Sequence, residues 1–153
     1  GCILYSLGSR NDITFEQAFQ ATVDGRCVVR TVDKGVASQA TIRGLKAGHY
    51  RIRDLMNEEG HDEMEFLKID IEGAEHEVLP LFLSNVKICQ IMIEIHDVEK
   101  TAHLLHTIGQ FGYLLMHFEI NAFRTAIGLS EFSFIHKDCV DRYDAQLLAQ
   151  YLA

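Results

Sequence analysis

Charged side chains gather where two apolar segments of the chain run out. Glu65-Phe66-Leu67-Lys68-Ile69-Asp70-Ile71 reads as a strand over 65–71, and it continues into Glu72-Gly73-Ala74-Glu75. Side chains alternate along a strand, so Lys68, Asp70 and Glu72 are expected on one face of a segment apolar enough to be buried. Charges in such a place need partners. A structural lysine–carboxylate cluster answers that need. Carboxylates at a strand end, before a glycine that lets a ligand approach the backbone, also suit a cationic cofactor. The next apolar segment, residues 87–95, ends beside Glu94 and His96. Asp70, Glu72 and His96 are thus close enough in pattern to suggest a metal cage of oxygen and nitrogen. The chain has no HExxH motif and its histidines are dispersed, so the preferred expectation is no metal. For Lys68, a charge partner to Glu94 or Asp70 is preferred over a catalytic amine.

The elements that must position these residues alternate. Residues 2–7 are an apolar strand ending at Gly8. A helix follows from Thr14, whose spacing to Gln17 suits a capping box, with Phe15, Ala18, Phe19 and Val23 as its stripe and Gly25 as its stop. Residues 27–32 form a second strand finishing at Asp33. Residues 34–49 carry weak periodicity and read as loop. A helix is expected over 50–59, and another after Glu75 in which Pro80 should cause a kink or restart. The nearly continuous apolar run at 87–95 predicts a central strand covered on both faces. Then come a helix over 98–111, strands over 113–120 and 131–136 with no helix between them, and a closing amphipathic helix over 140–152. Strand–helix alternation predicts an α/β fold with a mainly parallel sheet, helices on both faces and an antiparallel pair at one edge.

In such a sheet a ligand lies beyond the carboxyl ends of the strands, at the point where strand order reverses. That directs attention to Ser6 through Asp12 after the first strand, to Asp33, to Asp70 and Glu72, and to Glu94 and His96. The first turn has one glycine and is no GxGxxG fingerprint. Asp33 is placed where an acid accepts hydrogen bonds from a ribose diol, or it is a solvated turn residue.

The segment from Phe66 to Glu75 is similar to the LK-I-D-I/V-E-G-x-E hallmark of FkbM-type methyltransferases, also called the methyltransferase-21 domain. Cys2-Ile3-Leu4-Tyr5-Ser6-Leu7-Gly8-Ser9 with Asn11, Asp12, Phe15 and Glu16 resembles the opening of a eukaryotic methyltransferase-like branch. Gln90 to His96, Gly112 to Asn121 and Glu131 to Ile135 resemble its later strands. The resemblance implies a Rossmann-like, class I methyltransferase fold of seven strands, shortened here around the third strand, which binds S-adenosylmethionine. It implies cofactor contacts from Ser6, Gly8, Ser9, Asp12, Asp33, Asp70 and Glu72. Methyl transfer to an oxygen of a small-molecule or glycan-like acceptor is expected, with Asp70 or His96 as catalytic base for a hydroxyl proton. The alternative is a methyltransferase fold without activity that serves as an interaction domain.

The chain has 153 residues, 48% of them hydrophobic, which suits one domain over 1–153. A net charge of −8 without a basic cluster argues against nucleic acid as partner. No apolar run reaches the roughly 20 residues that span a bilayer. The start at Gly1, directly before a strand, suggests missing upstream sequence, so the compartment stays open between the secretory pathway and the cytoplasm. Oligomeric state is not legible. The four cysteines are too widely spaced for a CxxC motif, and free buried thiols are the default. Cys2 lies six residues before Gly8 and Cys27 six before Asp33, so in adjacent parallel strands they would be neighbours compatible with a disulfide.

Overall fold

The computed structural model describes residues 1–33, 52–121 and 129–146, the side chains of 52 and 53 excepted. Among the described residues, six strands form one sheet in the order β2-β1-β3-β4-β6-β5. β1 (Cys2–Leu7) and β2 (Cys27–Val32) run parallel in direct register, and β1 pairs on its other side with β3 (Met64–Ile69). β3 pairs parallel with β4 (Ile88–His96), and β4 pairs antiparallel with β6 (Leu129–His136). β5 (Tyr113–Ile120) pairs antiparallel with β6 at the edge, as expected from the sequence pattern of the two closing strands. The third-strand region and the expected loop at 34–49 lie outside the described residues.

α1 (Thr14–Thr22) covers one face, where Phe19 meets Phe66 edge-on at 5.0 Å. On the opposite face, α3 (Glu75–Leu83) and α4 (Val98–Gln110) bring Leu79, Leu104 and Ile108 against Leu67, Ile69, Ile91 and Ile93. α2 (Ile52–Glu59) adds Met56 to the same core. On this second face the side chains named are at most 3% exposed, so the sheet is fixed by burial of apolar, largely branched side chains on a twisted surface. The central-strand reading of β4 holds, because it lies between β3 and β6 with alternate residues fully enclosed.

Several local expectations are corrected. β3 stops at Ile69 rather than 71, because the chain turns at Ile71–Ala74 with Glu72 at φ +57°. Alternation therefore does not carry Glu72 to the face of Asp70. The cap of α1 is not Thr14 with Gln17: the Asp12 carboxylate accepts the Thr14 N–H at 3.0 Å. Hydrogen bonding to Thr14 holds the Asp12 carboxyl below its ordinary value. α3 continues through Pro80 without restarting. In place of an α-helix from 140, Lys137–Cys139 and Asp141–Tyr143 form single 3₁₀ turns, and 147–152 lie outside the described residues. The cysteines are not free thiols. Cys2 pairs with Cys27 across the β1–β2 register, and Cys89 pairs with Cys139.

Candidate functional site

Strand order reverses between β1, whose sequence neighbour β2 lies on one side, and β3, which lies on the other. The carboxyl ends of β1, β3 and β4 meet there. The backbone is unusual at each of the three ends: Gly8, Arg10 and Asn11 after β1, Glu72 and Gly73 after β3, and Asp97 after β4 all have positive φ. Non-glycine residues in this region cost of order 1–3 kcal/mol each, and such strain concentrates at functional sites.

Gly8 is seated on the β3 end. Its N–H donates to the Val32 carbonyl at 2.9 Å, and its carbonyl accepts from Lys68 Nζ at 2.5 Å. The Asp70 N–H donates to Leu7 at 3.0 Å. Lys68 thus ties the first turn to Asp70, whose carboxylate lies 3.6 Å from Nζ. The structural reading of Lys68 is the one the geometry supports.

The cofactor residues expected from sequence fall into two groups. Ser6 is fully buried and donates to the carboxylate of Glu16, itself buried in α1. The Asp33 carboxylate accepts from the Ser9 N–H and Ser9 Oγ at 3.1 Å each, and from the Arg10 N–H. Ser6, Ser9, Asp12 and Asp33 therefore shape the β1 turn from within. Asp70, Glu72 and His96 instead converge: one oxygen or nitrogen from each lies within 4.8 Å of the others. The Glu72 side chain remains 46% exposed and Asp70 28%, so these carboxylates are not sealed inside the protein.

His96 is held by a residue that sequence reasoning passed over. Glu75, fully buried at the start of α3, accepts the His96 backbone N–H at 2.6 Å and faces ring Nδ1 at 2.9 Å. His76 Nε2 in turn donates to the His96 carbonyl at 2.5 Å. Glu75 closes the motif quoted from the sequence, yet nothing in its spacing told a buried anchor from a solvated helix-start acid. His96 Nε2 is left 3.5 Å from Glu72 and 3.6 Å from Glu94.

Negative charge extends across the sheet from here. Glu94 on β4 is paired in register with Glu131 on β6, and Glu131 with Glu119 on β5. Burial, reinforced by Asp70, pushes the Glu94 carboxyl up despite His96. Burial, then Glu119 and Asp70, does the same to Glu131. Two cavities bordered by described residues, about 260 and 540 Å³, lie at the opposite, amino-terminal edge of the parallel strands, away from this cluster.

Residues 5–125 match the family described as Methyltransferase FkbM domain. The chain is 32% identical to the protein described as "Probable methyltransferase-like protein 24" of Rattus norvegicus, over 62% of this chain and 33% of that protein. It therefore spans about a third of the length of that curated relative. Among solved structures, M. capricolum TrmK, determined with S-adenosyl-homocysteine, superposes with a TM-score of 0.57 at 12% identity, covering 89% of this chain and 62% of that one. The E. cuniculi Mtq2–Trm112 complex, which methylates the eRF1 translation termination factor, gives a TM-score of 0.52 at 15% identity, with 88% and 85% covered. These two similarities establish the α/β Rossmann-like fold.

Proposed function

The chain belongs to the FkbM methyltransferase family, and from that premise we propose that it binds S-adenosylmethionine across the ends of β1 and β3 and transfers its methyl group to an oxygen acceptor. The observation that carries this reading is the convergence of Asp70, Glu72, Glu94 and His96 at the strand-order reversal. The cofactor brings an ammonium and a sulfonium, and these carboxylates complement both. Its product form is bound in the TrmK structure, which shares this fold.

The Gly8 turn, held by Asp33, Ser9 and Lys68, is the seat for the methionine end, while Asp33 lies where the ribose hydroxyls approach. Asp12 fixes the entry to α1 and thereby the same turn. Asp70 and Glu72 stand at the sulfonium end and toward the acceptor. In the transfer the methyl carbon–sulfur bond breaks as the carbon–oxygen bond forms, and the bonding pair returns to sulfur. The hydroxyl proton passes to His96 Nε2 or the Asp70 carboxylate. Positioning along the line of attack supplies most of the acceleration. The acceptor proposed is a small molecule or glycan rather than nucleic acid, because the row from Asp70 to Glu119 repels polyphosphate. The four cysteines are all paired, so we place the protein in an oxidising, secretory compartment.

One observation favours a second reading, a domain without catalysis: the Asp33 carboxylate is already engaged by Ser9 and Arg10. A thermal shift separates the two. S-adenosylhomocysteine at 100 times its Kd stabilises a binding-competent fold by about 2.7 kcal/mol. A melting temperature unmoved by millimolar S-adenosylmethionine and S-adenosylhomocysteine would establish the second reading. Tritiated methyl donor offered with hydroxylated small molecules, glycans, protein or RNA then identifies the acceptor.

A further inference from the structure

We propose that Asp70, Glu72 and His96 bind one divalent cation of the manganese or zinc kind, which holds an oxygen of the methyl acceptor as a further ligand. The acceptor clause rests on the methyltransferase reading; cation binding does not. With the cation in place His96 Nε2 and Asp70 are ligands in place of bases, and the hydroxyl held on the cation, made more acidic by it, gives its proton to solvent.

The ligand atoms come from separate places, the end of β3, the turn after it and the end of β4, yet all lie within 4.8 Å. The histidine is prepared for the role. A carboxylate only accepts, so Glu75 fixes the proton of neutral His96 on Nδ1, 2.9 Å away, and leaves the lone pair on Nε2. A buried carboxylate behind a ligating imidazole is the usual outer partner in metal sites. In that tautomer the lone pair faces Glu72 Oε2 at 3.5 Å and Glu94 Oε1 at 3.6 Å. These separations are too long for hydrogen bonds. The 3.5 Å between Nε2 and Glu72 suits two atoms that share a cation at roughly 2.0–2.2 Å from each, and the three-residue set, within 4.8 Å, closes around it by a small side-chain adjustment.

Charge points the same way. Lys68 gives its shorter contact to the Gly8 carbonyl, and Arg10, which reaches Glu72 at 3.0 Å, is 76% exposed. Each therefore offsets one carboxylate in part, Lys68 at 3.6 Å from Asp70 and Arg10 at Glu72, while Glu94 is left with His96 as its ion-pair partner among the described residues. One imidazole with two carboxylates is softer than the all-oxygen cages of magnesium and calcium, which selects manganese or zinc. Three protein ligands leave coordination positions open to an acceptor oxygen.

Chelator-treated protein is titrated with MnCl2 by calorimetry, with loss of the free manganese resonance as a second readout, and then with ZnCl2. One saturable site is expected. Asp70→Asn and Glu72→Gln should each weaken it at least about 10-fold, and Glu75→Gln by about 10- to 100-fold, while Glu58→Gln leaves it unchanged. His96→Ala and Glu75→Gln disturb a buried pair, but Glu72 is half-exposed, so Glu72→Gln retains the fold. No saturable uptake of either ion at millimolar concentration, or uptake indifferent to Glu72→Gln, overturns the site. The S-adenosylhomocysteine thermal shift on the same preparation is independent. A shift without cation uptake overturns only this inference, and uptake without a shift upholds the site while overturning the methyltransferase reading.

Discussion

A methyl group added at Gly8 would stand 1.7 Å from the Asp70 carbonyl oxygen and 2.8 Å from its carbon, both backbone atoms that cannot rotate away. The residue also sits at φ +83°. Gly8→Ala is therefore expected to destabilise the fold by at least about 3 kcal/mol, from left-handed strain together with forced separation of the β1 and β3 ends. Gly73 is the control: its φ is +100° but an added Cβ meets nothing within 4 Å, so Gly73→Ala should cost only about 1–2 kcal/mol. Urea unfolding of the two variants measures the difference. Equal costs would show that the Gly8 turn can lift from Asp70 without penalty. The sequence displayed Gly8 as one glycine at a strand-to-helix turn, and nothing in its neighbours revealed that backbone contact.

Two disulfides stitch different kinds of element. Cys2–Cys27 joins adjacent parallel strands at a sequence separation of 25, and Cys89–Cys139 joins β4 to the first 3₁₀ turn after β6 at a separation of 50. Chain entropy predicts about 3–4 kcal/mol from each, the longer loop giving slightly more. Cys89–Cys139 also closes a small cluster of Ile135, Leu114, Val140 and Tyr143 at the end of the sheet. A paired Cys89→Ala, Cys139→Ala variant should lose roughly 10 °C in melting temperature. Reduction of the unmodified protein should lose more, and scanning calorimetry with and without reductant tests both. The first pairing stood in the sequence as the alternative to free thiols, because two strands of equal length ending at Gly8 and Asp33 bring their cysteines level. The second was not, since it depends on the chain turning back after β6, where the apolar spacing of Val140 and Tyr143 imitates a helix. Within the described residues, strand–helix alternation was readable as far as β6 because branched apolar runs have few other solutions. The ends of β3 and the cap of α1 were not, because Glu72 and Asp12 adopt local turns that override alternation and capping patterns.

Across the whole molecule, a net charge of −8 meets a sheet whose carboxyl edge carries Asp70, Glu94, Glu131 and Glu119 from strand to strand. Glu131 is faced by Glu119 from β5, by Glu94 from β4, and by Asp70 and Lys68 from β3, and burial with the two acids Glu119 and Asp70 outweighs the lysine. Its folded carboxyl is raised above the ordinary value of 4.5. Between that value and the folded one the native state keeps a proton that the unfolded chain has released, so the slope of unfolding free energy with pH is negative. Stability falls as pH climbs through this window, and the full penalty persists above it. Glu131→Gln keeps the shape and an acceptor for Asn121 Nδ2, now 3.4 Å from Glu131 Oε1, but removes the charge. In chelator, its melting temperature should match the parent near pH 4, where the carboxyl is protonated in both states, and exceed it increasingly toward pH 7. A difference that is constant with pH, or largest in acid, would mean that the carboxylate row is solvated well enough to carry no strain. The same row would then lose its force as the reason for a cationic ligand at this end of the sheet.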